Sequence, residues 1–159
     1  SGEINTPTTS FNVIYILSHL YRHLFTEGIG LRQLLDYYYI MLNKERGVDK
    51  DTLRRLDLWK FAGAVMYVLH EVFALPEDKM IAPMDEKDGR FLLDEVMRGG
   101  NFGQFDDRLG SKEGEGKGHR FFRMTFRSLR FVTHYPTEAL SEPLFRTWFW
   151  AWKKRHGYK

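Results

Sequence analysis

The sequence predicts an all-α protein: a single-domain irregular bundle of about six or seven helices with a long glycine-rich loop. Three observations point there. Apolar residues recur at helical spacing in one segment after another. Capping residues, glycines and prolines punctuate those segments where helices should start and stop. No stretch needs a strand to account for it.

Residues 3–9 (EINTPTT) are polar and read as extended. Ser10 is placed to cap a helix from Phe11 to about Thr26, with Val13, Leu17, Leu20 and Leu24 on its inner face. Gly28-Ile29-Gly30 ends it and opens a helix from Leu31 to about Asn43. There Leu31, Leu34, Leu35, Tyr38 and Leu42 form the expected buried stripe. So short a connection makes the two helices antiparallel neighbours. Gly47 interrupts the pattern, and Asp49 or Asp51 can cap a short helix through Leu56. A more apolar helix, about Trp59 to Phe73, carries Phe61, Val65, Val68, Leu69 and Val72 and reads as the central one.

Pro76 to Pro83 connects it to a helix capped by Asp85 and running to Met97, with Phe91, Leu92, Val96 and Met97 inward. Gly99 to Gly118 is irregular, and its glycine- and charge-rich part, 110–118, is expected to be mobile because it cannot bury apolar surface. A helix from about His119 to Thr133 follows, ended by Pro136. Glu142-Pro143 starts the last helix, which Phe145, Trp148, Phe149 and Trp152 are expected to anchor.

A chain of 159 residues fits one domain with a real core. It has no cysteine, which excludes disulfides and thiolate chemistry. No apolar run approaches the ~20 residues that span a bilayer, and no signal peptide is visible; a cytoplasmic protein without a membrane partner is expected. The chain opens Ser-Gly without Met, which reads as a cleaved-tag remnant at residues 1–2 before a C-terminal fragment of a longer protein. The net charge is +3, unevenly spread. Residues 119–159 hold nine Lys/Arg against Glu138 and Glu142, giving +7 and leaving −4 for the rest. A basic C-terminal quarter suits an anionic partner or an acidic surface of the same molecule.

Two sets of polar residues are candidates for function. His19 and His23 are four apart on the first helix, and Arg32 and Asp36 are four apart on the second. Folded back on itself, the hairpin would bring an imidazole pair near a guanidinium and a carboxylate. Such a group can position a substrate; the bland alternative is a structural network in which Asp36 pairs with Arg32 and a histidine closes the hydrogen bonds. Two histidines without a third ligand are a weak metal signal, so no metal site is assigned.

The second set is Arg120, Arg123, Arg127 and Arg130, spaced to share one helix face. They suit phosphate contact, or else pair with acids such as Asp85, Glu86, Asp94 and Glu95 or lie solvated. The GGNFG stretch, 99–103, could line a cleft, but a helix C-cap explains it equally well. Trp148, Trp150 and Trp152 cannot all face one way, so one should be exposed unless a partner covers it. Asp49-Lys50-Asp51 and Glu86-Lys87-Asp88 have acid-x-acid spacing, better explained by capping than by Mg²⁺. No residue is assigned as catalytic.

The stretches HLYRHLFTEGIGLRQLLDYYY (19–39), LLDEVMRGGNFGQFDDR (92–108) and FRSLRFVTHYPTEALSEPLFRTWFW (126–150) resemble the C-terminal part of an uncharacterised nucleotidyltransferase family common in Bacteroidetes and other bacteria. That family looks like a branch of the polymerase-β-type superfamily. The resemblance implies a helical part that shapes the nucleotide or acceptor site, with His19, His23, Arg32 and Asp36 belonging to it. A separate N-terminal catalytic part would supply a Gly-Ser turn and an acid-x-acid pair that hold Mg²⁺ and engage a nucleoside triphosphate. That catalytic pattern is missing from this sequence, so this chain alone is expected to need no cofactor and to transfer no nucleotidyl group. The rival reading is a non-catalytic interaction module that binds nucleic acid, or an acidic partner, through residues 119–159. A third is a small metalloenzyme built on His19 and His23.

Overall fold

The computed structural model describes residues 8–26, 28–44, 47–99 and 128–157. The fold is all-α: six α-helices and one 3-10 turn, with no strand among the described residues. The chain divides into two compact units, residues 1–110 and 111–159. The boundary falls within the glycine-rich stretch that the sequence reading treats as a loop inside one domain.

In the first unit five helices form an irregular bundle. Helix α1 spans Thr9–Thr26. Thr8, rather than Ser10, caps it: its Oγ1 accepts from the Phe11 N–H at 3.3 Å and its carbonyl from Asn12 at 3.0 Å. Val13, Leu17, Leu20 and Leu24 are all buried. The turn to α2 (Leu31–Leu42) uses Gly28 at φ 89°, a conformation that side chains with a Cβ resist. The Gly28 N–H reaches back to the His23 carbonyl at 2.7 Å, and Gln33 Oε1 accepts from the Gly30 N–H at 2.7 Å, fixing both helix ends.

Helix α2 buries Leu34, Tyr37 and Met41, whereas Leu31, Leu35, Tyr38 and Leu42 are only half-buried. The expected stripe is thus rotated. The Tyr37 hydroxyl donates to the Val13 carbonyl at 3.2 Å, which lets a phenol occupy the core and holds α2 against the start of α1.

Asp49 caps the short helix α3 (Lys50–Arg55), accepting from the Asp51 and Thr52 N–H groups. Helix α4 (Trp59–Phe73) is central: α2, α3 and α5 all pack on it. Tyr21 of α1 also meets Phe61 with ring centroids 4.8 Å apart. Its last turn is less enclosed than expected, for Val72 is exposed. A 3-10 turn, Glu77–Lys79, leads to α5 (Glu86–Gly99). Asp85 caps α5 as expected, with Oδ1 accepting from the Asp88 N–H at 3.0 Å. Leu92 and Val96 are buried and Phe91 half-buried, but Met97 is exposed, on the outer side of the stripe formed by residues 88, 92 and 96.

Among the described helices, α4 and α5 make the most extensive contact, and small residues allow it. A Cβ on Gly63 would stand 2.9 Å from the Pro83 carbonyl oxygen, and one on Gly89 would collide with the Tyr67 side chain. The Asp85 N–H donates to the Gly63 carbonyl at 3.1 Å, so the α5 cap is tied directly to the α4 backbone.

In the second unit, Ser128 and Leu129 are helical and residues 130–134 form turns, so the helix expected through Thr133 stops earlier. Its earlier part, 119–127, lies outside the described residues, as does the expected loop 110–118. The last helix, α6, spans Pro136–Arg155, starting seven residues before the expected Pro143. Pro136 takes the first turn, where no N–H is needed, and Pro143 lies inside the helix, where it removes one backbone bond without ending it.

Candidate functional site

The two polar pairs of the α1–α2 hairpin lie on the outward sides of their helices. On α1, burying Val13, Leu17, Leu20 and Leu24 turns His19 outward to an exposed position and leaves His23 half-buried. On α2, the register that buries Leu34, Tyr37 and Met41 puts Arg32 and Asp36 on the opposite, exposed side. His19 and His23 do come together, with Nε2 atoms 2.9 Å apart and rings edge to face. Among the described residues no hydrogen bond or ion pair joins Arg32 and Asp36 to each other or to the histidines. The four residues therefore form one bonded pair and two separate solvated charges.

The histidine pair caps an aromatic ladder. Phe11 stacks on Tyr15 at 5.9 Å and Tyr15 on His19 at 6.3 Å, each ring nearly parallel to the next. These i, i+4 stacks hold the His19 ring in place on an exposed face.

Of the four arginines, Arg120, Arg123 and Arg127 lie outside the described residues, as does most of GGNFG. Arg130 is half-buried with its guanidinium 5.9 Å from the Phe131 ring. The acids proposed as arginine partners are largely used locally. Asp85 caps α5, Glu86 pairs with Arg90 at 2.8 Å, and Asp94 with Arg98 at 2.8 Å. Both acid-x-acid stretches are likewise consumed by caps and ion pairs. Among the described residues no three His, Asp or Glu side chains converge on a metal position, so the described residues do not fit a Mg²⁺ centre.

One polar pair escaped the sequence reading. Asp88 is 1% exposed and meets the Lys60 ammonium at 2.9 Å, while Lys60 is 48% exposed. A cleft of about 370 Å³, lined by Trp59, Lys60, Gly63, Pro83, Met84, Asp85 and Glu86, opens beside it. The sequence carried a signal for it: Asp88 falls on the same helical stripe as the buried Leu92 and Val96. The Asp85 cap and the Lys60–Asp88 pair brace α5 against α4, so this polar group serves the fold first.

The second missed feature is larger. The residues expected to anchor α6, namely Phe145, Trp148, Phe149 and Trp152, are all exposed, as are Leu140, Leu144 and Trp150. Phe145, Trp148, Phe149 and Trp152 stand at i, i+3, i+4 and i+7, on one side of the helix. Their rings form a second ladder: Phe145 on Phe149 at 5.8 Å, Phe149 on Trp152 at 6.1 Å, and Trp152 on His156 at 4.6 Å. Lys153 lies over Phe149 at 4.9 Å and Lys154 over Trp150 at 5.3 Å. These contacts interleave cations with the aromatic surface. Only Ala139 of the helix itself is buried among its described side chains, with Phe131 and Tyr135 buried just before it.

No protein-family model, curated protein or solved structure matches this chain. The resemblance to a nucleotidyltransferase family therefore has only the three sequence stretches behind it. No helix of the described residues is long and apolar enough to cross a membrane.

Proposed function

We propose that this chain is a helical interaction module whose α6 helix inserts into an apolar, acid-rimmed groove on a partner protein. One observation carries this reading: a 20-residue helix presents Phe145, Trp148, Phe149 and Trp152 to solvent on one side and ends in Lys153, Lys154 and Arg155. Monomeric proteins rarely expose so continuous an apolar surface unless something covers it. The i, i+3, i+4, i+7 anchors are the pattern by which a helix is read by a groove. The terminal cations complement an acidic rim and would steer encounter. Nucleic acid is the less favoured partner, because bases stack on platforms along an open strand, whereas these rings stack on one another. The described residues add nothing in favour of a role beside a nucleotidyl-transferring part.

Photocrosslinking from position 144, whose leucine is 70% exposed, tests the reading in cells of the native source. An acidic protein should be captured, and the adduct should disappear in Trp148→Ala and weaken in Lys153→Glu/Lys154→Glu. Adducts to nucleic acid, adducts between copies of this chain, or capture indifferent to these substitutions would each contradict it.

A further inference from the structure

We propose that His19 and His23 form a bidentate site for a divalent transition metal favoured by imidazole, of the copper(II) or nickel(II) type. The Nε2 atoms are 2.9 Å apart. The shared hydrogen bond sets that separation, and it already brings both nitrogens within the span of about 2.9–3.4 Å that two imidazole ligands of one ion cover. Divalent affinity at imidazole nitrogen rises through nickel(II) to copper(II) and falls again at zinc(II), which sets the expected preference. In the metal-free pair one Nε2 carries the shared proton and the other accepts it. Metal entry requires that proton to shift to Nδ1 of its own ring, so that both neutral imidazoles offer an Nε2 lone pair.

Two further features favour a cation there. The stack of Phe11, Tyr15 and His19 fixes one ligand ring before metal arrives. The pair occupies the last two turns of α1, where the helix dipole is negative. His19 is exposed, so the remaining coordination positions open to water or to a donor from another molecule. Such a site lies on the first unit, away in sequence from α6, and its existence does not depend on the docking role of that helix.

Calorimetric titration of the whole chain with Cu²⁺, Ni²⁺ and Zn²⁺ near neutral pH, with electron paramagnetic resonance of the copper form, tests this. One ion should bind per chain, with copper tightest, nickel next and zinc weakest. A tetragonal copper spectrum should show nitrogen coupling. His19→Ala, which removes an exposed side chain and spares the fold, should weaken binding at least about tenfold. His23→Gln should do the same, and His134→Ala and His156→Ala should leave binding unchanged. Absence of binding, affinity unaltered in His19→Ala, or zinc bound more tightly than nickel would overturn the proposal.

Discussion

The Lys60 ammonium and the Asp88 carboxylate are 2.9 Å apart, yet only the lysine reaches solvent. The asymmetry sets different consequences for losing each partner. Lys60→Met leaves a carboxylate inside the α4–α5 contact without the ammonium that stands 2.9 Å from it, and should cost about 2 kcal/mol or more, less than for a fully enclosed pair because water approaches from the lysine side. Asp88→Asn keeps the side chain's shape, and the half-exposed Lys60 stays in reach of water, so it should cost about 1 kcal/mol. Urea unfolding of the two variants checks the order; a larger loss in Asp88→Asn would show that the carboxylate acts through other contacts.

The approach of α5 to α4 depends on two missing side chains. Gly89→Ala drives a Cβ into the Tyr67 side chain at its Cβ, where no rotamer change gives relief. A loss of about 1–3 kcal/mol is expected, as for other overpacked contacts. Gly99→Ala is the control, since a Cβ there meets nothing within 4 Å. Equal thermal midpoints for the two variants would mean that α5 can move away freely.

Alkaline pH should open the core at Tyr37. Burial pushes its phenol well above the ordinary value of 10.0. A group whose folded value is raised contributes stability that is intact below the unfolded value and is lost as pH rises beyond it. The Tyr37 phenolate should therefore appear only with unfolding. Tyr37→Phe should reduce the alkaline loss of stability. A folded chain that forms one phenolate more than its Tyr37→Phe variant before unfolding would contradict this.

Acid should loosen α3. The Thr52 hydroxyl, then the Asp51 N–H, hold the Asp49 carboxyl below its ordinary value of 3.8. The cap's contribution is thus full above that value and is lost as pH falls through the lower folded one. Asp49→Asn should remove this pH dependence, measured as the change in thermal midpoint between about pH 5 and about pH 2.5. An unchanged acid profile would mean that the cap is not formed in solution.

Much of the fold was legible because periodicity and caps agreed. Val13, Leu17, Leu20 and Leu24 define one inner face of α1, and the Asp49 and Asp85 caps mark where α3 and α5 begin. The α2 stripe was misjudged because Tyr37, Tyr38 and Tyr39 offer three registers of equal hydrophobicity. The choice is made by a hydroxyl that finds the Val13 carbonyl, a long-range contact no local pattern reveals. The same rotation separates Arg32 and Asp36 from the histidines. His19 and His23 met as their spacing allowed, since i, i+4 neighbours need only the helix itself. Pro143 misled in the opposite direction: a proline acceptable at a helix start was also tolerated inside a longer one. Phe145, Trp148, Phe149 and Trp152 read as core because aromatic spacing says that a helix face will be covered, but not by what.

Affinity of the wild-type chain and of Trp148→Ala for the acidic protein captured from position 144, measured by calorimetry at low and high salt, tests the central claim most directly. The α6 docking account predicts that Trp148→Ala weakens binding by about 2 kcal/mol or more, as for an aromatic anchor at an interface centre, and that added salt weakens the wild type further. Binding unchanged by Trp148→Ala and indifferent to salt would place the contact elsewhere on the molecule.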